Sequence, residues 1–484
     1  MRLDEKGAAM TSIMRTRVSR AWTALLACLS VLALVALTAG CGSARSYGRT
    51  QLTVWSWEPS MPQLVKGFEH DNPDVHITLV TNARYEELNS AIQDGYGMPD
   101  IMQLEYFALP QYAVSGQIRN LTTRTDGYEA FYTPGSWASV GMDGNVYGLP
   151  MDSGPMAFFY NDTVFKQAGV DASKIRTWQD YYDAARKLKT IGVNITSDAG
   201  EASFFDAMVW LAGGKPFTTS RDGHDVGIDL LGDAGTQEFA RFWQRMVDED
   251  LIDTSTTMWS DAWKKAVGDG TIASVFAGAW MPSLLLADVP GTAGLWRVAS
   301  MPTPNGNATN AENGGSALSV LTSSRKPDAS WRFIDYVCHS RTGIDTRVKG
   351  GAFPADVATL DSPEFLSRTT VTDSHGVQVP YFGGQQFNRV LSEAAKHVST
   401  QYQYLPFEVY ARSDFRSTVG KAYTWANNWQ RYRMEYQRML AGKTGNARNP
   451  QSPGLMVTIE DGLSQWQQNL REYGINQGFT VTDN

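Results

Sequence analysis

Flat aromatic rings stand beside carboxylates and amides at several points in this chain: Trp55-Ser56-Trp57-Glu58, Glu105-Tyr106 and Tyr381-Phe382-Gly383-Gly384-Gln385. Rings offer apolar platforms, while carboxylates and amides form several hydrogen bonds at once. Together they suit a ligand with hydroxyl rims and weakly apolar C–H faces, as a sugar has. Fifteen tryptophans in 484 residues fit such a role. Catalytic signatures do not stand out. The chain lacks a Gly-x-Ser-x-Gly elbow, a His-Glu-x-x-His pair and a full Gly-x-x-x-x-Gly-Lys-Ser/Thr phosphate loop. Its six histidines show no metal-ligand spacing, so neither a metal nor a cofactor is expected. Paired carboxylates for glycoside hydrolysis could be hidden among so many acidic residues. A lipid-anchored glycan-active enzyme or a surface lectin therefore stays open as a second reading.

These residues need elements to position them. Residues 51–57 alternate, with β-branched and aromatic side chains, and predict a strand. Residues 61–70 place Leu64, Val65 and Phe68 on one helical face, and Asn72-Pro73 ends that helix. Residues 75–80 predict a second strand, 85–94 a helix stopped by Gly95, and 100–104 a third strand. Further strands are expected at 271–276 and 296–299, with helices at 178–188 and 237–247. This alternation predicts an α/β fold built on parallel, helix-covered sheets. Ligands of such sheets sit beyond the carboxyl ends of strands. Trp57 and Glu58 lie there, as do Glu105 and Tyr106, whereas Trp55 suits a core position equally well. Residues 302–315, 361–380 and 441–454 read as linkers or surface insertions, the last between helical segments 422–439 and 459–473. Cationic Arg84 and Arg412 are expected on the solvated surface.

The amino terminus is a separate matter. Arg15, Arg17 and Arg20 precede an uncharged run, 21–40, that ends Leu37-Thr38-Ala39-Gly40-Cys41. This predicts a lipoprotein signal peptide over 1–40, acylation of Cys41 and a tether over 41–49. The alternative is a membrane-spanning anchor. Without residues 1–40 the chain keeps 37 Lys/Arg against 48 Asp/Glu, a net charge of −11. An acidic chain lacking basic runs is a poor nucleic-acid binder. Of three cysteines, Cys28 leaves with the signal and Cys41 takes lipid. Cys338 remains, on a helix with a buried face, and reads as a core thiol.

Several segments in order resemble the sugar-type extracellular solute-binding proteins, the maltose-binding-protein-like group. They are Leu52-Thr53-Val54-Trp55 with Asn72-Pro73-Asp74-Val75, then Met98-Pro99-Asp100-Ile101-Met102-Gln103, then Tyr147-Gly148-Leu149-Pro150 with Phe159-Tyr160-Asn161. Gly278-Ala279-Trp280, Gly314-Gly315 and the closing 466–479 complete the set. The resemblance implies two α/β lobes that close on a ligand in the cleft between them, joined by crossovers near 150–154 and 314–317. It divides the chain into 50–152 and 316–360 for lobe 1, and 153–315 and 361–484 for lobe 2. It implies an oligosaccharide ligand, the permease of an ABC importer as partner, a membrane tie through lipid, and a monomer. It adds Asp100 near the cleft, Asp152 and Gly315 at the crossovers, and Trp210 and Trp280 as stacking residues of the second lobe.

Overall fold

A computed structural model describes residues 48–220, 223–441 and 450–482. The signal peptide, Cys41 and most of the tether lie outside the described residues. Strand β1 (Thr50–Trp55) pairs in parallel with β2 (Val75–Val80) and β3 (Ile101–Glu105). Two later segments complete this five-stranded sheet. The further strands of the two main sheets are, in sequence order, β4 (Leu149–Pro150), β5 (Met156–Asn161), β6 (Ser274–Gly278), β7 (Trp296–Ala299) and β8 (Ser316–Val320). The first sheet runs β2-β1-β3-β8-β4, with β8 antiparallel to β3 and β4. Alternation in β1 sends Leu52 and Val54 into the core. There they meet Met61, Leu64 and Phe68, spaced one, four and eight along helix Met61–Asp71, and Phe333, Ile334 and Val337 of helix Pro327–Cys338. Cys338 is buried in the same cluster, where burial pushes its thiol up to about 12.

The second sheet differs from the expectation. β6 and β7 flank β5 on either side, and both run antiparallel to it. The rhythm of strands and helices located these strands correctly but carries no information on their direction. All six residues of β5 are buried, the mark of a strand packed on both faces. Helices Trp178–Thr190, Ala202–Leu211 and Ala234–Asp248 cover one face through a core that includes Trp243 and Trp466. A third, small sheet joins Phe217–Thr219, Asp225–Ile228 and the carboxyl-terminal Thr480–Thr482.

The chain leaves the first sheet at Pro150, enters the second at Met156, and comes back between Ala311 and Ser316. The two passages lie side by side: Met151 N–H donates to Ser316 O (2.8 Å), Asn313 N–H to Gly154 O (2.8 Å) and Met156 N–H to Ala311 O (3.1 Å). Gly154 is required by this close approach, since a β-carbon there would sit 2.4 Å from Asn313 O. Residues 310–312 are therefore buried, which corrects their reading as part of a surface insertion. A third passage near 350–356 lies alongside, with Ser153 N–H donating to Phe353 O (3.3 Å). Among the described residues no helix is long and apolar enough to cross a membrane.

Candidate functional site

A cleft of about 730 Å³ opens where the carboxyl ends of β1 and β3 face the second sheet across the crossovers. Trp57, Glu58, Gln103 and Glu105 line one wall. Asp152, Ser153, Gly315 and Ser316 line the floor, and Asp198, Trp259, Trp280 and Arg412 the opposite wall.

The first wall is organised by Gln103, which sequence reading missed. Its Oε1 accepts from Ser56 Oγ (2.7 Å) and from the backbone N–H of Trp57 (3.0 Å) and Glu58 (3.2 Å). This fixes the loop after β1 and holds Trp57 at the cleft edge, 39% exposed. Glu58 is buried and accepts from Ser60 through both N–H (3.1 Å) and Oγ–H (2.6 Å). Gln103 Nε2 donates to Ser316 Oγ (2.9 Å), and Ser316 donates in turn to Asp152 Oδ1 from Oγ (2.9 Å) and N (2.5 Å). A continuous hydrogen-bonded line thus runs from the Trp57 loop to the crossover.

Burial, with the Glu58 carboxylate nearby, raises the Asp152 carboxyl to about 6. Glu312 on the returning passage accepts from Ser153 Oγ (2.8 Å) and Gly154 N–H (2.6 Å), and burial raises it to about 7. Both crossover carboxyls therefore change charge near neutral pH.

The second wall carries a tryptophan cluster. The Trp280 ring is pinned by its Nε1–H donating to Asn313 O (2.7 Å), and Gly278 and Gly314 lie too close to it to tolerate a β-carbon. Trp259 packs 5.8 Å from Trp280 and 5.1 Å from Trp263, is 38% exposed, and adopts a φ of 71°. A bulky side chain in the left-handed region is strained, and such strain gathers at binding sites. Trp259 was also missed. It directly precedes Ser260, the N-cap of helix Asp261–Asp269, and nothing local to that pattern signals a positive φ. Asp198, likewise unforeseen, accepts from Gly200 N–H (2.9 Å) and Trp243 Nε1–H (2.8 Å), and burial raises its carboxyl.

Arg412 is not a surface cation. It pairs with Asp206 (2.8 Å) and Glu408 (3.5 Å), on helices of the cluster that covers the second sheet, and sits 3.8 Å over the ring of Phe107, which follows β3 of the first sheet. Three carboxyls, counting Glu105, surround one guanidinium. Burial raises all three, and Arg412 opposes the rise in each. Helix Glu408–Phe415 needs a cation here to match acidic residues on neighbouring elements, and sequence spacing does not show those neighbours.

Of the residues singled out from sequence, Trp57, Glu58, Glu105, Asp152, Trp280 and Gly315 meet at the cleft. The others lie elsewhere. Trp55 is half-buried against the cluster of Met102 and Leu104. Asp100 lies at the opposite end of β3 from Glu105, where it accepts from Thr53 N–H (2.9 Å) and Ser324 Oγ–H (2.6 Å) and pairs with Lys326 (3.1 Å). Tyr106 is buried, its hydroxyl donating to Asp152 O (2.6 Å), and Gly315 at φ 86° leaves room for its ring. Trp210 stacks on Tyr402 (5.0 Å, 7°) and donates to Ser399 O (2.9 Å), facing a separate pocket of about 400 Å³. Tyr381 is fully buried and donates to Val289 O (3.0 Å). Gln385 closes the edge of β7, accepting from Val298 N–H (2.9 Å) and donating to Val298 O (2.7 Å). For Asp100, Tyr106, Trp210, Tyr381 and Gln385 the polar atom is occupied by backbone or by a structural partner. Arg84 is exposed beside Glu87, as expected. No group of His, Cys, Asp and Glu among the described residues could hold a metal.

Residues 55–338 match the family model of the bacterial extracellular solute-binding protein. Among solved structures, the chain is similar to the ABC-transporter-associated binding protein from B. animalis subsp. lactis Bl-04 in complex with β-1,6-galactobiose. The two are 47% identical with a TM-score of 0.75, covering 90% of this chain and 100% of that one. The galacto-N-biose/lacto-N-biose I-binding protein from Bifidobacterium longum shares the fold at 21% identity and a TM-score of 0.70, over 90% of this chain and 99% of that one. The lactose-binding protein of Rhizobium radiobacter is 26% identical over 325 residues, 63% of this chain and 74% of its own length.

Proposed function

Because this chain belongs to the bacterial extracellular solute-binding proteins, we propose that it captures a short oligosaccharide outside the cell and delivers it to the permease of an ABC importer. One observation carries the reading: a cleft with Trp57 on one wall and Trp259 and Trp280 on the other, with carboxylates, an amide and Arg412 between them. Aromatic faces stack on the C–H faces of a sugar, and the polar groups bond its hydroxyls. A volume of about 730 Å³ falls within the range of about 300–1,000 Å³ usual for small-molecule sites.

The 47% identical relative was solved with β-1,6-galactobiose, so small β-galactosides are the first ligands to test. The proposal includes acylation of Cys41, which intact mass measurement of the membrane-bound chain reads as a diacylated amino terminus. It also includes binding without turnover. Calorimetry with defined di- and trisaccharides, followed by chromatography of the same samples, tests both points. Saturable heat with intact sugar is the expected result. Released monosaccharide would make the chain a hydrolase, and silence across the panel would remove sugars as its ligands.

A further inference from the structure

Helix Gly420–Leu440 buries no residue beyond Ala426. At 1.5 Å per residue its outer part therefore extends about 20 Å without burying a side chain. Along one face Trp425, Trp429, Tyr432 and Tyr436 recur at i, i+4, i+7 and i+11. Their rings follow one another at 5.7, 5.4 and 5.9 Å with interplanar angles of 24° or less. Exposed apolar side chains are also frequent in this stretch of the sequence. Of the fourteen large hydrophobic residues exposed in the described chain, five fall between 434 and 456: Met434, Tyr436, Leu440, Leu455 (93% exposed) and Met456. Core packing explains none of them, and such a concentration marks an interaction surface.

Charge decides what that surface meets. The helix carries Lys421, Arg431, Arg433 and Arg438 against Glu435 alone, on a chain whose net charge is −8. Among the described residues, Arg431, Arg433 and Arg438 make no ion pair or hydrogen bond. A second copy would bring like charge against like charge. A soluble polyanion would gain nothing from Met434 and Leu440. Cations combined with tryptophan, tyrosine and exposed aliphatic side chains suit an anionic lipid surface. There, aromatic rings lodge at headgroup depth and arginines meet phosphate.

We propose that the outer end of this helix is a membrane-surface contact for anionic lipid, independent of acylation and of the sugar cleft. Docked there, the second lobe would hold a fixed orientation on the bilayer rather than hang from the amino terminus alone.

The test uses residues 48–484, which contain every described element and no Cys41, and measures co-sedimentation with vesicles. Vesicles of about one-third phosphatidylglycerol in phosphatidylcholine should bind the protein about tenfold more than phosphatidylcholine alone, with loss in high salt. Replacing Arg431, Arg433 and Arg438 together with Gln should abolish the difference. Met434→Ser with Leu440→Ser should weaken binding at unchanged charge. None of these side chains is buried, so melting temperature should not move, and a control change at Val377, exposed elsewhere, should leave vesicle binding intact. Equal partition onto neutral and anionic vesicles, or binding that survives the arginine replacements, overturns the proposal. So does a surface that ignores vesicles and instead cross-links to permease subunits.

Discussion

Tryptophans separate into two kinds in this molecule, and residue type alone does not tell them apart. Trp210 gives its indole N–H to Ser399 O and its face to Tyr402, so its loss empties core volume. Trp210→Ala should cost about 3–5 kcal/mol of folding free energy, read as a drop in denaturant midpoint without ligand. Trp259 is half-exposed on the cleft wall. Trp259→Ala should instead weaken sugar binding by about 1–3 kcal/mol in calorimetry while moving unliganded stability less. The backbone supplies a second check. A φ of 71° penalises any residue with a β-carbon by about 1 kcal/mol. Trp259→Gly should therefore melt above Trp259→Ala while binding equally weakly. If Gly and Ala melt alike, the left-handed strain assigned to this position is absent.

At the scale of elements, the paired crossovers hold two buried carboxyls whose ionisation opposes folding. Asp152 is raised from 3.8 to about 6, so the native state favours its protonated form. Its contribution is whole below about pH 4 and is lost as pH rises through 6, the reverse of a salt-bridged aspartate. Asp152→Asn keeps the carbonyl oxygen that accepts from Ser316 and removes the charge. The variant should gain on the native chain by about 1–3 kcal/mol between pH 4 and pH 7, at 1.36 kcal/mol per pKa unit. Denaturation midpoints at those two pH values measure it. A gap that stays constant with pH would mean that Asp152 is ionised throughout. Glu312, raised to about 7 chiefly by burial, adds a slope of the same sign in both proteins, and only the smaller part due to the Asp152 charge fails to cancel in the comparison.

For the whole molecule, the walls meet at the crossovers, at the Arg412–Phe107 contact and where Tyr404 and Val409 pack against the cluster of Tyr106 and Leu109, so relative movement of the lobes changes the cleft more than either core. Ligand that touches Trp57 on one side and Trp259 on the other favours the closed arrangement in proportion to its differential affinity for it, and a few kcal/mol is enough to shift the population. Small-angle scattering should show a smaller radius of gyration at saturating sugar. An unchanged radius with bound ligand would point to a rigid, lectin-like site.

The sequence by itself determined the α/β class, the positions of most strands, and the loop after β1 as a part of the cleft lining. These depend on local periodicity: alternation in β1 and the face of Leu64 and Phe68 are properties of neighbours along the chain. Trp57, Glu58 and Glu105 were legible because a strand's carboxyl end can be found from the strand. Tertiary structure alone decided the antiparallel second sheet, since strand direction depends on how connections travel through space. It alone separated Trp280 from Trp210 and Tyr381, because partners 33, 189 and 92 residues away settle whether each is pinned at the cleft or sealed in the core. Arg412 reads as a surface cation until Asp206, two hundred residues earlier, is brought within 2.8 Å of it. Gln103 and Trp259 were invisible for the same reason: one works through hydrogen bonds to other segments, the other through a backbone angle. Burial and pairing are made by contacts between distant parts of the chain, and these exist only once it has folded.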